Sequence, residues 1–229
     1  MAIKEVLPSL VQYANVALSQ CDRCRLLGMT SIILAGGRSS RLGRSKALQA
    51  IGGKTLIQWI IDRLATLSTE IIIATARGEE IPCSSDVRLK TVADIHPGKG
   101  PLAGIYSGLI ASFNSCAIVV SCDTPFVSVG LLEFMTQTCP EFDIVVPRMK
   151  EKVEPLCAVY SKNCVAPIRE LLKQNELKII ELYPMVTVRY VEEAEIDRFD
   201  PEHLSFFNIN SQADLDKARR LAAEKKWRE

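Results

Sequence analysis

Two runs of nearly unbroken apolar residues, Ile71-Ile72-Ile73-Ala74 and Ala117-Ile118-Val119-Val120, set the terms for this chain. Each has the length of a β-strand. Neither alternates apolar with polar residues, so both faces of each strand need cover. The rest of the sequence agrees. Strand-like runs at 30–35, 70–75, 88–93, 116–121, 142–147, 156–160 and 186–191 alternate with helix-like runs at 55–67, 102–113, 128–138, 162–174 and 211–225. Such alternation predicts crossover units on a mostly parallel sheet. The expected fold is α/β: a three-layer, Rossmann-like, mostly parallel twisted sheet. Sheets of this kind gather ligands at the carboxyl ends of their strands, so the chemistry should be carried by residues that follow strands.

Composition narrows the function classes. With 48% apolar residues and a net charge of +1, the 229-residue chain can bury a sizeable core and is not disordered. The balance of 28 basic against 27 acidic residues argues against the broad basic face that sequence-independent nucleic-acid binding needs. No apolar run approaches the ~18 residues of a membrane span, and no membrane partner is expected. Glu5, Gln12, Asn15 and Gln20 interrupt any leader-like apolar core, which reads as a cytoplasmic protein. Val6, Leu7, Leu10, Val11, Ala14, Ala17 and Leu18 have helical spacing, so residues 1–28 read as a helical extension and 29–229 as the main domain. The eight cysteines (21, 24, 83, 116, 122, 139, 157 and 164) do not form a zinc pattern, since Cys21 and Cys24 have no second pair. Cys116 and Cys157, inside apolar runs, read as reduced thiols packed like small hydrophobes.

Three strand ends carry candidate chemistry. The first is Leu34-Ala35-Gly36-Gly37-Arg38-Ser39-Ser40-Arg41-Leu42-Gly43-Arg44-Ser45-Lys46. Its glycines let backbone amides approach an anion, and Arg38, Arg41, Arg44 and Lys46 add charge beside them. It is neither a P-loop nor Gly-x-Gly-x-x-Gly; it reads as a phosphate loop or as a tight turn with a solvated basic face. The second is Asp123, at the end of a buried strand that Pro125 stops. A single carboxylate opposite a phosphate loop suits Mg²⁺, which keeps several waters and shares substrate oxygens; the alternative is a cap for the next helix. The third is Asp94 with Pro97-Gly-Lys-Gly-Pro-Leu-Ala-Gly104, a loop that can present amides and a helix N-terminus, or can be ordinary surface. Asn208 and Asn210 precede the last helix, where one could serve as its cap. His96 and His203 lie in polar loops with no nucleophile beside them in sequence, so a reaction that brings its own anionic nucleophile fits best.

In these residues the chain resembles the molybdenum cofactor guanylyltransferases, within the glycosyltransferase-A-like nucleotidyltransferases. Four motifs stand in the family's order over about 29–220. They are Leu34 to Lys46, Gly100 to Gly104, Cys122-Asp123-Thr124-Pro125, and Asn208 with Asn210; Glu154-Pro155-Leu156 resembles its mid-chain segment. The resemblance implies transfer of GMP from GTP to the phosphate of molybdopterin or its molybdenum form, with pyrophosphate released. It implies nucleotide contacts from Leu34, Ala35, Gly36, Gly37, Lys46, Asp94 and Asp123, with Mg²⁺ on Asp123. Arg41 and Lys46 would bear on the leaving phosphates, and Asn208 and Asn210 would lie on the acceptor side. Recipient molybdoenzymes or other cofactor-biosynthesis proteins become possible partners. The family often has Asn after its second strand. Ala74 stands nearest that position here, and Thr75 beside it could take the contact. Gly36-Gly37 resembles the guanine-using type. The other readings are a relative that uses CTP or a sugar phosphate, and a non-catalytic nucleotide-binding module docking through residues 1–28.

Overall fold

The computed structural model describes residues 28–36, 46–76 and 88–224. The expected extension helix, Cys21 and Cys24, and Gly37, Arg38, Arg41 and Arg44 of the first loop lie outside these residues.

The alternation of the sequence becomes one sheet of eight strands. These are β1 (Thr30–Leu34), β4 (Glu70–Thr75), β5 (Arg88–Ala93), β6 (Cys116–Ser121), β7 (Ile144–Met149), β8 (Lys152–Val153), β9 (Cys157–Ser161) and β10 (Val188–Glu192). A separate hairpin pairs β2 (Ala50–Ile51) with β3 (Lys54–Thr55). The spatial order is β10-β7-β9-β6-β1-β4-β5, with β8 alongside β7. Neighbours are parallel except at β9, which runs against both β6 and β7, and at β8. The fold expectation holds: the sheet is mostly parallel, with helices packed onto it. β1 is central, and Ile32 and Ile33 are fully buried between Ile72, Ile73, Val119 and Val120 of its neighbours.

The helices follow from local signals. In α1 (Leu56–Leu64) the Thr55 hydroxyl accepts the Gln58 N–H, and Leu56, Ile57, Ile60, Ile61 and Leu64 line one buried face. The next helix, α2 (Gly100–Ala111), is apolar nearly all round and buried from Leu102 to Leu109, lying on β1 and β4 and against α4 (Val165–Lys173). Between them in sequence, α3 (Val129–Thr138) packs on β6, β7 and β9. The short α5 (Glu193–Ile196) follows β10, and α6 (Gln212–Glu224) closes on the small hairpin. A satellite core of Ile51, Leu56, Trp59, Phe126, Ile209, Leu215 and Ala218 fastens α6 and the hairpin to the loop after β6.

One sequence reading is corrected. Cys116 is not a free thiol: it forms a disulfide with Cys139, Cα to Cα 6.7 Å. The physical reason is the crossover itself. Cys116 begins β6, and α3 returns antiparallel to it, so the residue ending the helix arrives beside the residue beginning the strand. Cys157 is free and buried as expected, and burial pushes its thiol far above the ordinary range. The disulfide lines a cavity of about 410 Å³ with Asp143, Ser161 and Thr187, at the sheet edge opposite the strand ends described next.

Candidate active site

Parallel register brings the sequence motifs to one edge. Leu34 is level with Ala74 on one side and Ser121 on the other, and Thr75 is level with Ala93. Backbone hydrogen bonds then join the segments that leave these strands. Ala35 N–H donates to Ala74 O at 2.9 Å, and Cys122 N–H donates to Leu34 O at 3.1 Å. Asp94 N–H donates to Thr75 O at 2.9 Å. Because β9 is reversed, its beginning lies on the same edge, and Ser121 N–H donates to Leu156 O at 3.1 Å. Ile209 N–H donates to Asp123 O at 2.9 Å. All five motif segments therefore meet along one edge of the sheet.

Two glycines allow the close approach. A Cβ on Gly36 would stand 3.2 Å from Ala76 N. One on Gly104 would stand 2.9 Å from Leu34 Cδ2 and 3.6 Å from Asp94 Oδ1. The N-terminus of α2 thus lies against both the first loop and Asp94. Its cap residue Lys99 gives no side-chain hydrogen bond to the helix and donates instead to Leu172 O. Lys46 opens the 3-10 turn Lys46–Leu48 that follows the first loop.

Asp123 is half-buried, and its Oδ1 accepts the Ser121 hydroxyl at 2.6 Å. It does not cap the following helix. Ser128 does, with its Oγ accepting the Leu131 N–H at 3.2 Å. That reading of Asp123 is set aside on geometry, and Ser121 is a partner that motif reasoning missed. Ser121 ends β6 and Asp123 lies in the turn that follows, where a hydroxyl two residues upstream can reach the carboxylate. The Asn208-Ile209-Asn210 strip alternates in the same way. Ile209 is buried in the satellite core, Asn208 is half-buried with Nδ2 donating to Phe206 O, and Asn210 is exposed. Neither asparagine caps α6: the Ser211 hydroxyl accepts the Asp214 N–H at 3.2 Å. The loop histidines take no part in this edge's shared bonds; His203 Nε2 is 2.7 Å from Asp197.

Two buried polar atoms stand out on this edge. Thr75 Oγ1 and Asp94 Oδ1 have no hydrogen-bond partner among the described residues. A buried polar atom left unpaired is unfavourable by about 1–3 kcal/mol, so two of them side by side at the strand ends are positions that a bound ligand could complete. Burial raises the Asp94 carboxyl above the usual carboxylate range, with the Ser107 hydroxyl and His96 opposing the rise. A carboxyl raised in the folded state supports folding while protonated and loses that contribution as pH climbs through its folded value. Asp94→Asn is therefore expected to raise the melting temperature of the ligand-free protein at about pH 8. The gain should shrink towards about pH 4, where the wild-type carboxyl is itself neutral. Thermal melts at the two pH values check this, and a variant less stable at both would refute it.

Among the described residues no three His, Cys, Asp or Glu side chains cluster as a metal cage. Asp123 and Asp94 are carboxylates that follow strands at this edge, and they do not form a cage. Such donors suit a cation that keeps its waters and completes its shell from phosphate oxygens rather than one held by protein alone.

Known proteins share this arrangement. The model of the MobA-like NTP transferase domain matches residues 31–186. A protein of Pelotomaculum thermopropionicum named "Probable molybdenum cofactor guanylyltransferase" is 38% identical over 198 residues, covering 86% of this chain and 95% of that protein. The molybdenum cofactor guanylyltransferase of Desulfosudis oleivorans is 33% identical over 192 residues, covering 83% and 94%. Among solved structures, molybdopterin-guanine dinucleotide biosynthesis protein A from Archaeoglobus fulgidus superposes with a TM-score of 0.75 at 26% identity, covering 86% of this chain and all of that one. The fold extends to 2-C-methyl-D-erythritol 4-phosphate cytidylyltransferase of Thermus thermophilus, TM-score 0.62 at 21% identity. With the family model matching residues 31–186 and these relatives covering 86% and 83% of its length, the chain belongs to the MobA-like NTP transferase family.

Proposed function

We propose that this nucleotidyltransferase moves GMP from GTP to the phosphate of molybdopterin or its molybdenum form, giving the guanine dinucleotide cofactor and pyrophosphate. The observation that carries the reading is the meeting of the five motif segments at one sheet edge, where Thr75 Oγ1 and Asp94 Oδ1 have no partner among the described residues. Leu34, Ala35, Gly36 and Gly37 supply the loop that follows β1 and receives the phosphates. Arg41 and Lys46 neutralise the β and γ phosphates as they leave, Arg by a bidentate contact and Lys as a point charge. Asp94 and Thr75 contact the nucleotide. Asn208 and Asn210 face the acceptor.

The acceptor brings its own nucleophile. A phosphate monoester has its second pKa near ~6 and is largely dianionic at neutral pH, so no protein base is needed. Its oxygen attacks the α-phosphorus of GTP; that P–O bond forms as the bond to the bridging oxygen of the β-phosphate breaks. The protein's task is alignment and charge neutralisation. Asp123, held by Ser121, is the residue that would bind Mg²⁺, and the ion would supply positive charge against the phosphate oxygens. A GTP-dependent reaction places the work in the cytoplasm, and the product would pass to a molybdoenzyme or another cofactor-biosynthesis protein.

The test is pyrophosphate release by the purified full chain with Mg²⁺, molybdopterin and GTP, CTP or ATP in turn. Release with GTP alone among the three is expected; release with CTP, or none, overturns the assignment. GTP should also protect the fold. Ligand at about 100 times its Kd adds ~2.7 kcal/mol, a rise of roughly 5–10 °C for a chain of this size. A larger shift with CTP would favour cytidylyl transfer.

A further inference from the structure

Asp200 belongs to no motif, yet it is 6% exposed and deeply engaged. Its Oδ1 accepts the Leu204 N–H at 2.9 Å and its Oδ2 accepts the Ser205 N–H at 2.8 Å. Ser205 is fully buried, and its hydroxyl oxygen accepts the Ser128 N–H at 2.8 Å. The Ser128 hydroxyl donates back to Phe199 O at 3.0 Å, next to Asp200. On the other side lies Arg63 of α1, whose guanidinium donates to Val127 O at 2.8 Å. Burial lowers the Arg63 pKa, and the Asp200 charge opposes that shift. Val127 and Ser128 are thus gripped by two groups, and Asp200 acts on both.

The significance lies in what these contacts connect. Val127 and Ser128 end the loop that begins with Asp123. Ser205 leads directly into Phe206, Phe207 and the Asn208–Asn210 strip, which returns to Asp123 through the Ile209 N–H. The loop and the strip are two sides of one frame. Ile209 and Asp123 close one end, and Ser205 and Ser128 close the other. Apolar packing alone does not fix where Ser205 meets the loop. The Asp200 carboxylate, by binding two successive amides of the 3-10 turn Leu204–Phe206, sets the orientation of that turn, and with it the Ser205 hydroxyl that accepts the Ser128 N–H across the frame.

We propose that Asp200 is a positioning residue that locks the Asn208–Asn210 strip to the Asp123 loop, and so sets the spacing between the nucleotide and its acceptor. It touches neither substrate. Its catalytic effect rests on the reading of Asn208 and Asn210 as the acceptor side, whereas the lock itself does not.

Asp200→Asn tests both parts in the full chain. Asn keeps the size and one acceptor oxygen, but it removes the second acceptor and the charge opposite Arg63. Hydrogen exchange should quicken about tenfold or more at the amides of both Ser128 and Ile209, while Ile32 and Val119 in the sheet stay protected. Well below the variant's melting temperature, GTP affinity should stay within about twofold, while kcat/KM for molybdopterin falls at least about tenfold. Ser205→Ala leaves Asp200 in place and should give the same split at smaller size, which serves if Asp200→Asn does not fold. Faster exchange confined to 200–205, or equal losses towards GTP and acceptor, would overturn the proposal. If the wild-type chain transfers nothing to molybdopterin, the acceptor reading fails, and the exchange at Ser128 and Ile209 alone decides whether the lock exists.

Discussion

Asp123→Asn is expected to slow guanylyl transfer about 10²- to 10³-fold while leaving the protein folded and able to bind GTP. The side chain keeps its shape, and Asn can still accept the Ser121 hydroxyl. The backbone tie from Ile209 is unchanged, because it uses the Asp123 carbonyl. What is lost is the carboxylate charge proposed to hold Mg²⁺ beside the phosphates. Calorimetric GTP binding together with pyrophosphate release at saturating Mg²⁺ separates the two effects. Near-wild-type turnover would reduce Asp123 to a residue that shapes the loop, and the metal assignment would fall with it.

Reduction of the Cys116–Cys139 bond is expected to lower stability by about 3–4 kcal/mol in the chain-entropy account, given a sequence separation of 23. That corresponds to a fall of roughly 6–14 °C in melting temperature. The bond opens onto a cavity, so a small thiol reductant can reach it in the folded protein. The cross-link closes β6 and α3, the unit whose middle carries Asp123, but it does so at the far edge. Turnover at a temperature where both forms are folded should therefore change little. Melts with and without dithiothreitol, together with a count of alkylatable thiols, check this. Identical melting with two thiols newly exposed would show that the bond adds no stability.

The sheet was legible because its strongest signals are local. Continuous apolar runs at 70–75 and 116–121 match β4 and β6 residue for residue. Boundaries moved where propensity was weaker. The run expected at 142–147 begins at Ile144, because Phe142 and Asp143 close the turn after α3. Leu34 ends β1, Asp94 and Asp123 follow β5 and β6, and the sheet's register brings these sequence positions to one edge. Other features were not visible. Leu156 O and the Asp200 frame act through backbone groups or between distant segments, which carry no sequence signature. The disulfide joins cysteines that only a returning helix brings together. Ser128 took the cap expected of Asp123, because the helix begins one turn later than the loop motif ends.

The reversed strand β9 carries a last consequence. Everything before it on this edge is built from parallel units, in which each loop is tied to a long crossover and cannot change length freely. Because β9 runs the other way, the chain from Met149 to Cys157 reaches the same edge as a hairpin, turning at Lys150 with a left-handed φ of 55° and pairing only briefly through β8. A hairpin tip is a place where a chain gains or loses residues without disturbing its sheet. The scaffold is therefore evolutionarily lopsided: its early half is constrained, while its late half can be lengthened, shortened or grafted. A lineage adopting a new acceptor would be expected to show that history as insertions around 150–156, with the segments before 128 left at constant length.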